Sequence, residues 1–143
     1  MSDDATLAVQ KAIRARLIAS AGVTALVAAD AILDRNTRPE VFPCILIGED
    51  QLVDARTDMQ RSVVTVYSTM HLWTREQSLT GVKEIANEVR RALRQRLSLA
   101  SADYHCVDSV VRDMRFLRDP SGEHSHGVVT VESMVQERWM FEV

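Results

Sequence analysis

The side chains of this chain with the most chemical capacity are its four histidines and two cysteines: His71, His105, His124, His126, Cys44 and Cys106. His124 and His126 stand two apart beside Glu123, and His105 adjoins Cys106, so donors of the kinds that hold zinc are present. Their placement argues against that use. The His124-x-His126 pair lies on one face if strand geometry holds, yet it sits at the mouth of a polar turn, where solvated histidines are ordinary. His71, between Met70 and Leu72, has no nucleophile or carboxylate tied to it by spacing, and it reads as a core or interface histidine, not a general base. No phosphate-binding glycine loop, Gly-x-Ser-x-Gly elbow, His-Glu-x-x-His or Cys-x-x-Cys occurs, which counts against an enzyme. No catalytic, cofactor-binding or metal-binding residue is therefore assigned.

Cys44 and Cys106 lie far apart in apolar, strand-like segments and read as buried free thiols, not a disulfide. Arg90, Arg91, Arg94 and Arg96 crowd one stretch of an expected helix and could track a nucleic-acid backbone. Glu84 and Glu88 precede them, however, and Glu88 with Arg91 is a favourable pair at helical spacing. A solvated or subunit-contacting face is preferred. Lys plus Arg number 17 and Asp plus Glu 20, a net charge of −3, whereas tight wrapping of nucleic acid calls for a basic excess.

These groups must be positioned by a chain of 143 residues, 46% hydrophobic and 26% charged, with 5 Gly and 3 Pro, the size and composition of one domain covering 1–143. There is no basic segment followed by an apolar run at the N-terminus, and no stretch of about 18 apolar residues, so neither secretion by the general route nor a membrane span is expected. From Asp3 to Ala21 the apolar positions Val9, Ile13, Leu17 and Ala21 recur every four residues, with Leu7 and Ile18 flanking, which predicts an amphipathic helix. Ser2 or Asp3 would cap it, Gly22 would stop it, and a short helical turn over Thr24 to Ala29 would follow.

Ala31 to Leu33 could form a short strand, and Asp34 to Glu40 a loop. The apolar run from Val41 to Gly48 predicts a strand buried on both faces and central in the sheet, with Pro43 at its opening. Leu52 and Val53 extend it before a polar tip, and the alternating segment Val63 to Trp73 returns as its hairpin partner. Thr74 to Leu97 predicts a second amphipathic helix, with Thr74 and Gln77 as a capping box. Tyr104 to Arg118 and His126 to Val143 form the last hairpin. Its turn is Asp119-Pro120-Ser121-Gly122, in which Pro120 presets φ, Asp119 bonds forward and Gly122 tolerates positive φ. The sum is an α+β domain: a mostly antiparallel β-sheet with long hairpins and two main helices packed on one face.

Three segments carry a resemblance: Phe42-Pro43-Cys44-Ile45-Leu46-Ile47-Gly48-Glu49-Asp50; His71-Leu72-Trp73-Thr74-Arg75 leading into the Ala- and Arg-rich helix; and Leu117-Arg118-Asp119-Pro120-Ser121-Gly122 with His126-Gly127. Their order and spacing resemble the tail-completion (tail terminator) proteins of long-tailed bacteriophages and gene transfer agents, over nearly the whole chain. The resemblance implies a structural virion protein, not an enzyme, with no catalytic residues and no cofactor. It would form a homo-oligomeric ring, usually a hexamer, on the head-proximal end of the tail tube, stop tube polymerisation and dock to the head connector or stopper protein. DNA would pass through its lumen without specific binding, no membrane would be involved, and the tail-neck junction would be assembled in the bacterial host cytoplasm. A head-side neck or connector adaptor is the alternative.

Candidate contact residues are Asp54, Arg56, Asp58 and Arg61 in the first hairpin loop, Arg118, Asp119, Ser121 and Glu123 around the last turn, and Arg75, Arg90 and Arg94 in the second helix. The Phe42-Pro43 segment reads as core. The apolar end Trp139-Met140-Phe141 is either a partner surface or the last strand packed on the sheet.

Overall fold

The fold was described from a computed structural model, which covers residues 3–34 and 39–141. The capping role of Ser2, most of the loop from Asp34 to Glu40 and the last two residues lie outside the described residues. Helix α1 (Ala5–Ala19) begins where Asp4 accepts hydrogen bonds from the N–H groups of Thr6 and Leu7, at 3.3 and 3.1 Å, so Asp4 rather than Asp3 is its cap. It stops at Ser20, before Gly22, because the Ser20 hydroxyl accepts from Val23 N–H and caps α2 (Ala21–Thr24), which starts earlier than expected. Val9, Ile13 and Leu17 are fully buried, whereas Ala21 is exposed, so the stripe continues at Val23 and not at Ala21.

A single turn of 3-10 helix at Ala29–Ala31 leads into β1 (Ile32–Leu33), which runs parallel to β2 (Cys44–Asp54). The remaining strands, β3 (Val63–Thr74), β4 (Tyr104–Arg118) and β5 (Ser125–Glu137), pair antiparallel, in the order β1-β2-β3-β5-β4. The sheet is mixed but mostly antiparallel, with two long hairpins. Cys44 to Ile47 are all buried, as continuous apolar character predicts, yet β3 and not β2 is the central strand. Among the described residues, two-residue β1 pairs only with Ile45 and Leu46 of β2.

Helix α3 (Thr80–Ala92) is shorter than its apolar periodicity at both ends. Thr74 is the buried last residue of β3, opposite Ser125, so the expected capping box does not form. The Ser78 hydroxyl instead accepts from Thr80 N–H at 3.1 Å. At the other end, Arg16 of α1 donates to the carbonyls of Ala92, Gln95 and Arg96 at 3.1 to 3.2 Å, supplying both partners and positive charge where a helix leaves carbonyls unpaired. Leu93 and Leu97 keep their places on the apolar face although the helix has ended.

Both main helices lie on one face: α1 packs on β2, β3 and β5, and α3 on β3, β5 and β4. Strand alternation sends Val66, Met70 and Leu72 of β3, and Val129, Val131 and Val135 of β5, under them. The last turn forms as read from the sequence, with Gly122 N–H donating to Asp119 O at 2.9 Å and Gly122 at φ 75°. Strand β5 ends at Glu137 and not at Val143, because its partners end there: Tyr104 opens β4 opposite Glu137, and Val63 opens β3 opposite Gln136. Residues Arg138–Phe141 form a 3-10 turn whose Trp139, Met140 and Phe141 are exposed, so the apolar end is a surface. Cys44 and Cys106 are buried free thiols, and burial pushes the Cys44 thiol up to about 11.

Candidate assembly surfaces

The second face of the sheet carries no helix among the described residues, and His71 and His126 meet there. Register places Trp73 opposite Cys44 and His126, and His71 opposite Leu46 and Val128. The His126 ring stacks on Trp73 at 4.0 Å and 6°. Its Nε2 lies 2.8 Å from His71 Nδ1, an approach that requires one nitrogen to donate and the other to accept. His71 Nε2 in turn lies 3.1 Å from Glu49 Oε1. The bulge between Ile47 and Asp50 makes this possible: a Cβ on Gly48 would come within 3.0 Å of the His71 ring. Burial, reinforced by the charge of His71, pushes His126 down to about 4. A bond from its own backbone N–H, and then His71, holds Glu49 below the usual carboxylate range.

This relay contains no nucleophile and lies on an open sheet, so its chemistry is that of a polar, aromatic contact surface. Among the described residues no group of three or more His, Cys, Asp or Glu side chains is arranged to hold a metal ion. Alternation in the sequence places His71 and Trp73 on one side of a strand. Their meeting with His126 depends on a cross-strand register that no local pattern encodes.

The same band continues to the end of the sheet where the last turn sits. The His124 ring packs against Phe42 at a tilt of 31° with centroids 4.7 Å apart, and the Arg75 guanidinium lies 4.9 Å over the Phe42 ring. Phe42 is only half-buried and Pro43 is exposed, so this segment is surface and not core. It precedes β2. Arg118 donates to Gln77 O at 3.0 Å and tethers the turn to the entry of α3. Asp119 accepts from the Ser121 hydroxyl and lies 3.5 Å from His124 Nδ1, and these contacts, the hydroxyl first, hold it below its usual range. Asp119 and Ser121 thus shape the turn, while Glu123 is exposed at its rim.

At the opposite end, Asp54 accepts from Arg56 N–H at 2.7 Å, and Asp58 accepts from the Ser62 N–H and hydroxyl. The Ser62 hydroxyl is the main reason Asp58 sits below its usual range. Arg56 and Arg61 adopt φ of 55° and 56°. Both loop aspartates therefore fix the backbone from which Arg56, Met59 and Arg61 project. Glu137 N–H donates to Ser62 O and Arg138 N–H to Asp103 O, both at 2.7 Å, which brings exposed Trp139, Met140 and Phe141 to this end as well.

Arg90 and Arg94 belong to neither end. Arg90 is on α3, whereas Arg94, expected on the same helix, falls just past its end at Ala92; both line a cleft of about 550 Å³ shared with Arg91, Leu93 and Val111. The expected contact residues thus fall into three separate surfaces and do not converge on one site. Missed in the sequence were the imidazole and tryptophan band and the pairing of Phe42 with His124.

A profile of the family described as Tail completion protein gp17 matches residues 11–136, from the first turns of α1 to the penultimate residue of β5. Among curated proteins none matches the chain. Of solved structures, a chain in the virion of a native gene transfer agent particle has a TM-score of 0.77 at 19% identity, covering 94% of this chain and 99% of that one. The gp17 protein of bacteriophage SPP1 has a TM-score of 0.59 at 18% identity, covering 92% of this chain and 91% of that one. Identities this low speak to fold alone, whereas the profile runs from within α1 to the last residues of β5, most of the chain; the chain belongs to the tail completion protein gp17 family.

Proposed function

We propose that this tail completion protein forms a ring, with six subunits as the expected number, on the head-proximal end of the tail tube, where it ends polymerisation and joins the tail to the head connector or stopper protein. The observation that carries the reading is that the candidate contact segments stand at opposite ends of the same long strands. Asp54 to Arg61 and Trp139 to Phe141 stand at one end, and Arg75 with Arg118 to Glu123 at the other. A 12-residue strand such as β3 separates the two by about 40 Å, enough for one subunit to touch two different partners. An adaptor between tube and connector needs this two-ended arrangement, and a catalytic site does not.

The fold likeness to a chain of a gene transfer agent virion supports a place in an assembled particle. In this reading the protein is a virion component at the tail-neck junction, put together in the host cytoplasm, and DNA traverses the lumen without specific contacts. The net charge of −3 is compatible with that passage.

Deletion of the gene from its particle-producing strain, followed by negative-stain electron microscopy of the lysate, tests the reading. Overlong tails or polytubes lying apart from filled heads are expected. Tails of normal length that fail to join heads would move the protein to the head side as a connector adaptor, and intact infectious particles would end the structural reading.

A further inference from the structure

The two margins of the sheet carry opposite charge on the same face. At one margin, α3 and β4 frame the cleft of about 550 Å³ in which Arg90, Arg91 and Arg94 surround an apolar floor of Leu93 and Val111. Only Arg91 has an acidic partner among the described residues, Glu88 at 3.4 Å. At the other margin the outer edge of β2 has no strand partner beyond Leu46 among the described residues. Asp50, Leu52 and Asp54 pair with Ser68, Val66 and Val64, the residues of β3 that face the helices, so all three point to the helix-bearing side. Leu52 is 42% exposed there. Burial, and then the charges of nearby Asp4 and Asp34, raise the pKa of Asp50 at this margin.

On the ring reading above, we infer that the Asp50-x-Leu52-x-Asp54 margin of one copy docks into the Arg90 and Arg94 cleft of the next. The occupant is a second copy because the two surfaces are complementary in kind: alternating acid, apolar and acid groups against arginines flanking an apolar floor. They are also on opposite sides of one subunit, so the contact is heterologous and closes on itself only as a ring. A continuous sheet across the junction is disfavoured, since bulges at Cys106/Asp108 and Val111/Asp113 kink the outer edge of β4. The contact is therefore made by side chains.

A charge swap in particle-producing cells tests this. Asp50→Arg/Asp54→Arg and Arg90→Asp/Arg94→Asp are each expected to lower the yield of complete particles at least about a hundredfold, since like charges are then juxtaposed. Co-expression of the two variants should restore it, because alternating copies again match in an even-numbered ring. Asp50→Arg alone spares the hydrogen bond that Asp54 accepts from Arg56, and circular dichroism of each purified variant checks the fold. Normal particles from either double variant, or natively folded variants that co-expression does not rescue, would overturn the docking while overlong tails in the deletion strain kept the ring. A deletion strain without tail defects would remove the ring itself. Duplex DNA binding by the purified protein that Arg90→Asp/Arg94→Asp abolishes, with normal particles from the acidic-margin variant, would assign the cleft to nucleic acid instead.

Discussion

The same strands build two unlike faces. Along β3, Val66, Met70 and Leu72 are fully buried beneath α1 and α3, while the intervening Tyr67, Thr69, His71 and Trp73 remain half-exposed on the face away from both helices. The covered face is mostly aliphatic, with Ser68 and Ser133 buried in it. The open face carries aromatic rings, imidazoles and a Thr69–Thr130 pair. The difference separates stability from contact: one face is committed to the helices, and the other has the mixture of rings and polar groups that suits a partner surface.

Neighbouring residues on one strand give the sharpest way to break this contrast. Met70→Ala should destabilise the protein by about 3 kcal/mol in chemical denaturation, because it leaves a cavity beneath both helices. Arg16→Ala, which strips three carbonyls at the end of α3 of their charged donor, should cost about 2 kcal/mol. If it instead costs nothing, the helix layer owes its position to apolar packing alone.

The open face should show itself through pH. His126 is held neutral in the folded state, at about 4 against an ordinary 6.5, so the stabilising preference is complete above 6.5 and is lost as pH falls from 6.5 to 4. The nearby His71 and Arg115 charges act in the direction of burial, and Asp119 and Glu49 oppose it. After discounting for solvent, the loss should be about 1 kcal/mol, read as the difference between the wild type and His126→Gln across that range. A slope unchanged in His126→Gln would mean that the imidazole band does not couple to folding. Smallest of all, Thr69→Ala on the open face should stay within about 0.5 kcal/mol of the wild type, beside the large loss at Met70.

Much of this architecture is legible where the cause is local. Pro120 and Gly122 specify the last turn because the backbone angles they favour are properties of those residues alone. Alternation over Val63 to Trp73 specifies a half-buried strand, and the four-residue spacing of Val9, Ile13 and Leu17 specifies a helix face. The second helix shows where such reasoning fails. Its apolar spacing continues from Leu79 to Leu97, but β3 holds Thr74 in its ladder, and Arg16 and the Ser109 hydroxyl, which accepts from Leu97 N–H at 3.0 Å, bind the chain beyond Ala92.

The sequence by itself determined the hairpins, the two apolar helix faces, the buried thiols and a resemblance to tail-completion proteins, since each rests on residue type and short spacing. Only the tertiary structure decided that β3 is central, that Phe42 leaves the core for His124 and Arg75, that His71 meets His126, and that acidic and arginine-rich margins face opposite ways. Those outcomes depend on register and packing between segments tens of residues apart, and the energies that select them exist only once the chain has folded.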